Sequence, residues 1–299
     1  MKFIEKHPMT MIITGIFGIS LSAIFVKFSE APSAVTAAYR LVWTVLLMSP
    51  VALGQKKYRS ELFSVNKKTL LLCAVSGIFL AFHFFFWFAS LSHTSVASST
   101  VIVCTEVIWV ALGYCIFMKG TLGWKAVLII LATFLGSILI AFSDYNGGEN
   151  HLYGDILSLA AAVFVAVYTL LGGIARRTMT TTAYTYLVYV FSGITLIALV
   201  LLQGQSFTGW GLSPIIVGLL LSIFSTLLGH SIFSWCLKYF SPAFVSASKL
   251  CEPVVAGFIA MALFQEIPAP LQLIGSAVIL GSVLYYSYIE NKALQKKTS

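Results

Sequence analysis

Apolar residues run almost unbroken through ten stretches of the chain: 9–28, 33–54, 69–91, 94–118, 124–143, 153–173, 182–203, 212–236, 242–264 and 270–289. A helix rising 1.5 Å per residue needs about 20 residues to cross a hydrocarbon layer about 30 Å thick, and these stretches fit that length. Their apolar residues surround the helix axis instead of forming one stripe, which predicts membrane helices and not amphipathic ones. Length and the lack of alternation exclude strands. The connections are short. The longest runs from Gln55 to Lys68, and the next lie near Asp144–Leu152 and Gln203–Gly211. The last two carry Asn-Gly-Gly and Gly-Trp-Gly turn signals. Helices joined so tightly must return beside their neighbours. Lys2 and Lys6 precede the first stretch as in a signal peptide, but no small-x-small cleavage site follows, so an uncleaved first span is expected.

Composition agrees with this pattern. Of 299 residues, 59% are hydrophobic and 9% charged, whereas soluble domains are about one-quarter charged. Mean hydropathy is +0.95. Ten spans consume roughly 200 residues, which leaves no room for a large soluble domain. An ordinary soluble enzyme and a disordered chain are both excluded.

The net charge of +8 would raise nucleic acid as a partner for a soluble protein. Its placement argues for no nucleic acid. With both termini inside, the inner segments hold Lys2, Lys6, Lys56, Lys57, Arg59, Lys67, Lys68, Lys119, Lys125, Arg176, Arg177, Lys238, Lys292, Lys296 and Lys297. These are 15 of the 18 Lys and Arg residues, and the outer loops hold none unless Lys27 is counted. Glu30, Asp144, Asp155, Glu149 and Glu266 fall outside. This bias predicts an even number of spans, cytoplasmic N- and C-termini and a multi-pass protein of the cell inner (plasma) membrane. Cys73, Cys104, Cys115, Cys236 and Cys251 lie in apolar runs without a C-x-x-C pair, so burial is expected instead of disulfide or metal chemistry.

The two halves resemble each other. A shift of 147 places His83 on His230, Thr94 on Ser241, Ser99 on Ser246, Cys104 on Cys251 and Lys119 on Glu266. Ala38-Tyr39 falls on Ala183-Tyr184 with a shift of 145. The expected division is 1–145 and 146–299, with five spans in each. Five is odd, so the second half enters from the opposite face. Such inverted repeats are typical of secondary transporters, which hold substrate near mid-membrane between the repeats.

Several motifs point to one family. They are Lys27, Ala37-Ala38-Tyr39-Arg40, Thr94-Ser95-Val96-Ala97-Ser98-Ser99, Tyr153-Gly154-Asp155, Cys251-Glu252-Pro253 and Phe264-Gln265-Glu266. In order and spacing the chain resembles the drug/metabolite transporter superfamily, specifically its EamA-domain members. The resemblance implies an all-α membrane protein of ten transmembrane helices in two inverted five-helix repeats. It also implies alternating-access transport of small metabolites, often outward, and no single substrate. Two positions depart from the family pattern: Glu106 stands where proline is usual, and Lys119 where glutamate is usual.

Ionisable groups at membrane depth are costly and are functional candidates by default. Here they are Arg40, Glu106, Lys249 and Glu252. Arg40 lies about 12 Å into its span and offers a planar fork to a carboxylate or phosphate. Its alternative is a structural ion pair, with Glu106 for example. Glu106 can bind an amine, carry a coupling proton or pair with Arg40. Trp109 follows at i+3, and a carboxylate beside an indole suits an ammonium group. Lys249 and Glu252 are also spaced i, i+3 and can pair with each other, and Pro253 can bend the helix beside them.

His83 and His230 can relay protons or be hydrogen-bonded structural residues. No set has metal-ligand spacing, and no cofactor is expected. In Phe82–Phe88 the aromatics surround the helix, so Trp87, on the His83 face at i+4, is the better site candidate. Tyr39, Trp43, Tyr168 and Tyr184 can line a cavity. Ser158, Ala162 and Ala166 form a ridge for close helix packing. Ser98, Ser99 and Thr100 suit the same role on their helix, and their hydroxyls can also touch substrate.

The function expected is secondary active transport, with export favoured by the family resemblance. Both charge signs at membrane depth with aromatics nearby suit a small zwitterion such as an amino acid. Glu106, His83 and His230 are the groups that can couple transport to protons. Lipophilic cations or drugs and nucleobase-like metabolites are the alternative cargoes. From other classes, a passive channel remains, and so does an intramembrane enzyme, although no G-x-S-x-G or H-E-x-x-H motif is present. ATP-driven pumping is excluded, because no phosphate-binding G-x-x-x-x-G-K-[ST] loop exists. Ten spans suffice for a pathway within one chain, so a monomer and a homodimer both fit.

Overall fold

The computed structural model describes residues 8–94, 96–144, 152–264 and 270–298. Lys2, Lys6, Ser95, Asn146, Gly147, Gly148, Glu149, Gln265 and Glu266 lie outside the described residues, as do the side chains of Val96, Ala97, Ser98 and Asp144. The described residues form helices and connecting turns, with no strand among them. In chain order these are α1 (Pro8–Ser20), α2 (Ser22–Val26), α3 (Ser33–Gly54), α4 (Lys56–Ser64), α5 (Lys67–Ser90), α6 (Val96–Val103), α7 (Glu106–Phe117), α8 (Trp124–Asp144), α9 (Leu152–Ala175), α10 (Thr181–Leu202) and α11 (Ser213–Leu220). A π-helix (Leu221–His230) follows, then α12 (Ser231–Cys236), α13 (Pro242–Lys249), α14 (Glu252–Phe264) and α15 (Pro270–Thr298).

Among the described residues, six helical segments are long and apolar enough to cross a membrane: Pro8–Val26, Ser33–Gly54, Lys67–Ser90, Tyr153–Ala175, Thr181–Leu202 and Ser213–Cys236. Shorter apolar helices cover Glu106–Phe117, Trp124–Gly136 and Leu273–Tyr286. Several expected continuous spans are broken. The stretch 9–28 bends at Leu21, where the Ser20 hydroxyl donates to the Ile16 carbonyl at 2.7 Å. Such back-bonding bends helices. The stretch 94–118 breaks at Cys104–Thr105, and 242–264 breaks at Leu250–Cys251. The shift of 147 places Cys104 on Cys251, so the two breaks overlap at that position and are offset by one residue. The stretch 212–236 contains the π-helix, in which the Thr226 hydroxyl reaches back five residues to the Leu221 carbonyl at 3.2 Å.

The connection from Gln55 to Lys68 also differs from expectation, since most of it is helix α4. Its Glu61 carboxylate accepts from the Thr180 amide at 2.7 Å and from the Thr180 hydroxyl at 2.6 Å. Thr180 is the N-cap of α10, so the acid ties this segment to the start of a span.

Lipid is as apolar as a leucine side chain, so close packing and interhelical hydrogen bonds must hold the bundle. Two apolar clusters provide the packing. One joins Leu41, Leu80, Phe84, Val188 and Leu196. The other joins Ile16, Val107, Ile129, Phe244 and Ile279. At Gly77, an added Cβ would lie 2.6 Å from the Val188 carbonyl oxygen, so α5 and α10 approach as only glycine allows. The Ser158, Ala162 and Ala166 ridge is buried. Tyrosines pin helix to helix: Tyr184 to Ser76 at 2.8 Å, Tyr168 to Ser234 at 2.9 Å and Tyr189 to Ser231 at 2.9 Å.

Candidate functional site

A cavity of about 40 Å³ lies where the two clusters meet. Arg40, His83, Trp87, Glu106, His230, Lys249 and Glu252 line it, with Ser22, Thr100 and Ser246. It has room for about two waters.

Arg40 comes from the middle of α3 and is fully buried. Its Nε donates to Thr226 Oγ1 at 2.7 Å, and its Nη1 donates to Ser22 Oγ at 3.3 Å. The guanidinium carbon sits 4.0 Å from the centre of the Phe84 ring. Nη2 has no hydrogen-bond partner among the described residues. No carboxylate among the described residues forms an ion pair with Arg40, so the considered pairing with Glu106 is not made. A buried donor on a permanent cation costs free energy when unmet. Two hydroxyls and a ring hold the fork, and more of its N–H donors stay unused than are engaged.

Glu106 is the first residue of α7, and Lys249 is the last residue of α13. Lys249 Nζ donates to Glu106 Oε1 at 2.8 Å, and the Thr169 hydroxyl donates to the same oxygen at 3.0 Å. This corrects the expected Lys249–Glu252 pair. The break at Leu250–Cys251 interrupts the turn that an i, i+3 contact needs, and the lysine partners an acid 143 residues away instead. The cation stands at a helix C-terminus and the anion at an N-terminus, so each also meets the favourable end of its helix dipole. Glu252 is freed by this exchange. It lines the cavity and makes no ion pair among the described residues.

The imidazoles meet across the cavity, with ring centres 6.2 Å apart. His83 Nδ1 lies 3.0 Å from the Ala161 carbonyl, so this nitrogen carries the proton that it donates. His83 stacks on Trp87 at 6.0 Å with planes 10° apart. Trp87 Nε1 and His230 Nδ1 have no hydrogen-bond partner among the described residues.

Other candidates lie elsewhere. Trp109 is 38% exposed and does not line the cavity. The buried face of α7 runs through Glu106, Val107, Val110 and Gly113, and Trp109 turns away from it with Ile108 and Leu112. Tyr39 donates to the Phe207 carbonyl at 3.0 Å, which fastens the 203–211 connection instead of facing the cavity. Trp43 donates to the Ile215 carbonyl at 3.1 Å. Tyr168 and Tyr184 make the interhelical bonds given above and do not line the cavity. Cys115 is exposed, against the expected burial of all five cysteines.

The motif residues explain one another. Thr94 Oγ1 donates to Asp155 Oδ1 at 2.8 Å, and an added Cβ on Gly154 would lie 2.8 Å from the Thr94 amide nitrogen. Ser99 bonds Ser90 at 2.6 Å and accepts from Ser158 at 3.2 Å. Ser241, superposed on Thr94 by the shift of 147, caps α13 by accepting from the Phe244 amide at 3.2 Å. The sequence profile of the EamA-like transporter family matches twice, over residues 8–142 and 152–288. The chain belongs to the EamA-like transporter family. Two bacterial relatives carry transporter names. One, from Clostridium kluyveri, is named "Uncharacterized transporter" and is 23% identical over 95% of this chain and 94% of its own. Another, from Bacillus subtilis, is named "Uncharacterized transporter YxxF" and is 26% identical over 84% of this chain and 78% of its own. A solved crystal structure shares the fold, with a TM-score of 0.76 and 15% identity, over 96% of this chain and 99% of that one.

In this EamA-like transporter, four residues that sequence reasoning passed over complete the site. Ser22 and Thr226 hold the Arg40 fork, Phe84 lies under it, and Thr169 orients Glu106. The one usable signal was polarity: the three hydroxyls stand in otherwise apolar stretches, as many structural hydroxyls also do.

Proposed function

We propose that this membrane transporter is a secondary active exporter of a small zwitterion, of the amino-acid class, working by alternating access. The observation that carries the reading is Arg40. It is buried, it has no acid partner and an unpartnered Nη2 among the described residues, and it lines a cavity that Glu252 also lines. Arg40 receives the substrate carboxylate, and Glu252 receives its ammonium group. Lys249 and Glu106 neutralise each other, so the substrate meets one free charge of each sign.

The reading includes ten spans in two inverted halves, 1–145 and 146–299, with both termini cytoplasmic in the plasma membrane. The doubled family match and the charge bias support it. In this reading the small cavity enlarges as the bundle opens toward one face or the other. The paired imidazoles of His83 and His230 favour protons as the coupling ion, while Glu106 is committed to Lys249.

Thermal stabilisation of the purified chain against amino acids, amines, nucleobases, nucleosides and organic anions tests the substrate class. A ligand at 100 times its Kd, bound only to the folded state, stabilises by about 2.7 kcal/mol. Stabilisation by amino acids that Arg40→Ala abolishes supports the proposal. Stabilisation only by nucleobases or lipophilic cations overturns it.

A further inference from the structure

A second cavity, of about 590 Å³, lies away from the first, where the connection before α8 meets the connection between α12 and α13 and one face of α15. Lys125 and Lys238 line it with Trp124, Tyr239 and Tyr286. Both lysines are exposed and form no ion pair among the described residues. Each sits over an aromatic ring, Lys125 at 5.7 Å from Trp124 and Lys238 at 5.9 Å from Tyr239. No carboxylate among the described residues lines this basin. It shares no residue with the central cavity and is far larger.

Charge and depth identify the occupant. Both lysines belong to the segments that the charge bias assigns to the cytoplasmic face, where tryptophan and tyrosine mark the headgroup level. From Trp124 an exposed apolar stripe continues through Leu128, Leu131 and Leu135 at helical spacing. A polar basin with two cations, opening onto an apolar stripe, matches a molecule with a phosphate at one end and hydrocarbon at the other. We infer that this basin binds the headgroup of an anionic phospholipid, with Lys125 and Lys238 on its phosphate and an acyl chain along the Trp124–Leu135 stripe. A free phosphate would use the lysines and leave the stripe unused.

Native mass spectrometry of the purified full chain, titrated with phosphatidylglycerol or phosphatidylcholine, reads the preference directly. Two lysines at an anionic headgroup correspond to a preference on the order of 25-fold for phosphatidylglycerol. Wild type should show it, Lys125→Gln/Lys238→Gln should lose it, and Lys56→Gln/Lys57→Gln should keep it. Equal retention of both lipids by wild type overturns the site. So does an undiminished preference in the Lys125→Gln/Lys238→Gln chain. Displacement of phosphatidylglycerol by an equal concentration of inorganic phosphate overturns the lipid as occupant.

Discussion

Lys249 and Glu106 meet at 2.8 Å, and each stands at the edge of a helix break, one in each half of the chain. The pair therefore joins the two interruptions, at Cys104–Thr105 and Leu250–Cys251, through side chains. A buried charge left alone is costly, while a pair removed together is often tolerated. Glu106→Gln strands the ammonium group and should destabilise the chain by about 3–5 kcal/mol. Glu106→Gln/Lys249→Met should recover most of that loss. A double-mutant cycle read by thermal unfolding checks this, and additive single effects would sink the idea of a coupled pair.

Arg40 supplies a second prediction. A lysine keeps the charge but loses the planar fork that Thr226, Ser22 and Phe84 hold. Charge-assisted hydrogen bonds are worth about 1.5–3 kcal/mol, so Arg40→Lys should weaken zwitterion binding by roughly ten- to a hundredfold. Glycine or alanine as titrant, with bound fraction read by thermal stabilisation, provides the measurement. Unchanged affinity in Arg40→Lys would assign this arginine to packing alone.

The two tryptophans separate the cavity wall from the outer surface. Trp87 stacks on His83 in the wall, whereas Trp109 faces outward from α7. Trp87→Ala should lower substrate affinity several-fold, and Trp109→Ala should leave it unchanged. Counterflow in proteoliposomes measures both. A reversed order would mean that Trp109 turns inward during the cycle.

These contrasts show what the chain reveals unaided. The spans are legible because a 20-residue apolar run has few other fates. The inward face of each span is not. In α7 apolar residues surround Glu106, so no polar stripe distinguishes Val110, which is buried, from Trp109, which is not. The breaks are equally hidden, since neither Cys104-Thr105 nor Leu250-Cys251 contains glycine or proline, and Pro253 follows its break by two residues. Helix interruptions in membranes are tolerated where neighbouring groups satisfy the backbone, a tertiary condition. The four ionisable candidates were legible from cost alone, and all four line one cavity. Their pairing was not, because local spacing favoured Lys249 with Glu252 while the fold delivered Glu106.

Close packing gives a prediction independent of transport. A Cβ at Gly77 would lie 2.6 Å from the Val188 carbonyl oxygen and 3.0 Å from the Ser192 amide nitrogen, and both are backbone atoms that cannot swing aside. Gly77→Ala must push α5 and α10 apart, at a cost of about 1–3 kcal/mol. Gly54→Ala meets nothing within 4 Å and should be neutral or slightly stabilising. Thermal unfolding of both variants in the same detergent checks the contrast, and equal melting temperatures would mean that the α5–α10 contact is looser than described.

Coupling can be tested apart from binding. If the facing imidazoles carry the proton, His230→Gln should retain counterflow, which needs no gradient, and lose uphill accumulation driven by a pH gradient. His230 Nδ1 has no partner, and its ring packs edge-on to Phe84 at 5.2 Å, so glutamine removes a titrating group without breaking a hydrogen bond of that nitrogen. The titratable groups around it are His83 on α5, Arg40 on α3, Tyr168 on α9, the Glu106–Lys249 pair, and Glu252 beside the second break. Uphill transport by His230→Gln equal to wild type under the same gradient would remove this histidine from the coupling step, and accumulation without any pH gradient would remove the proton itself.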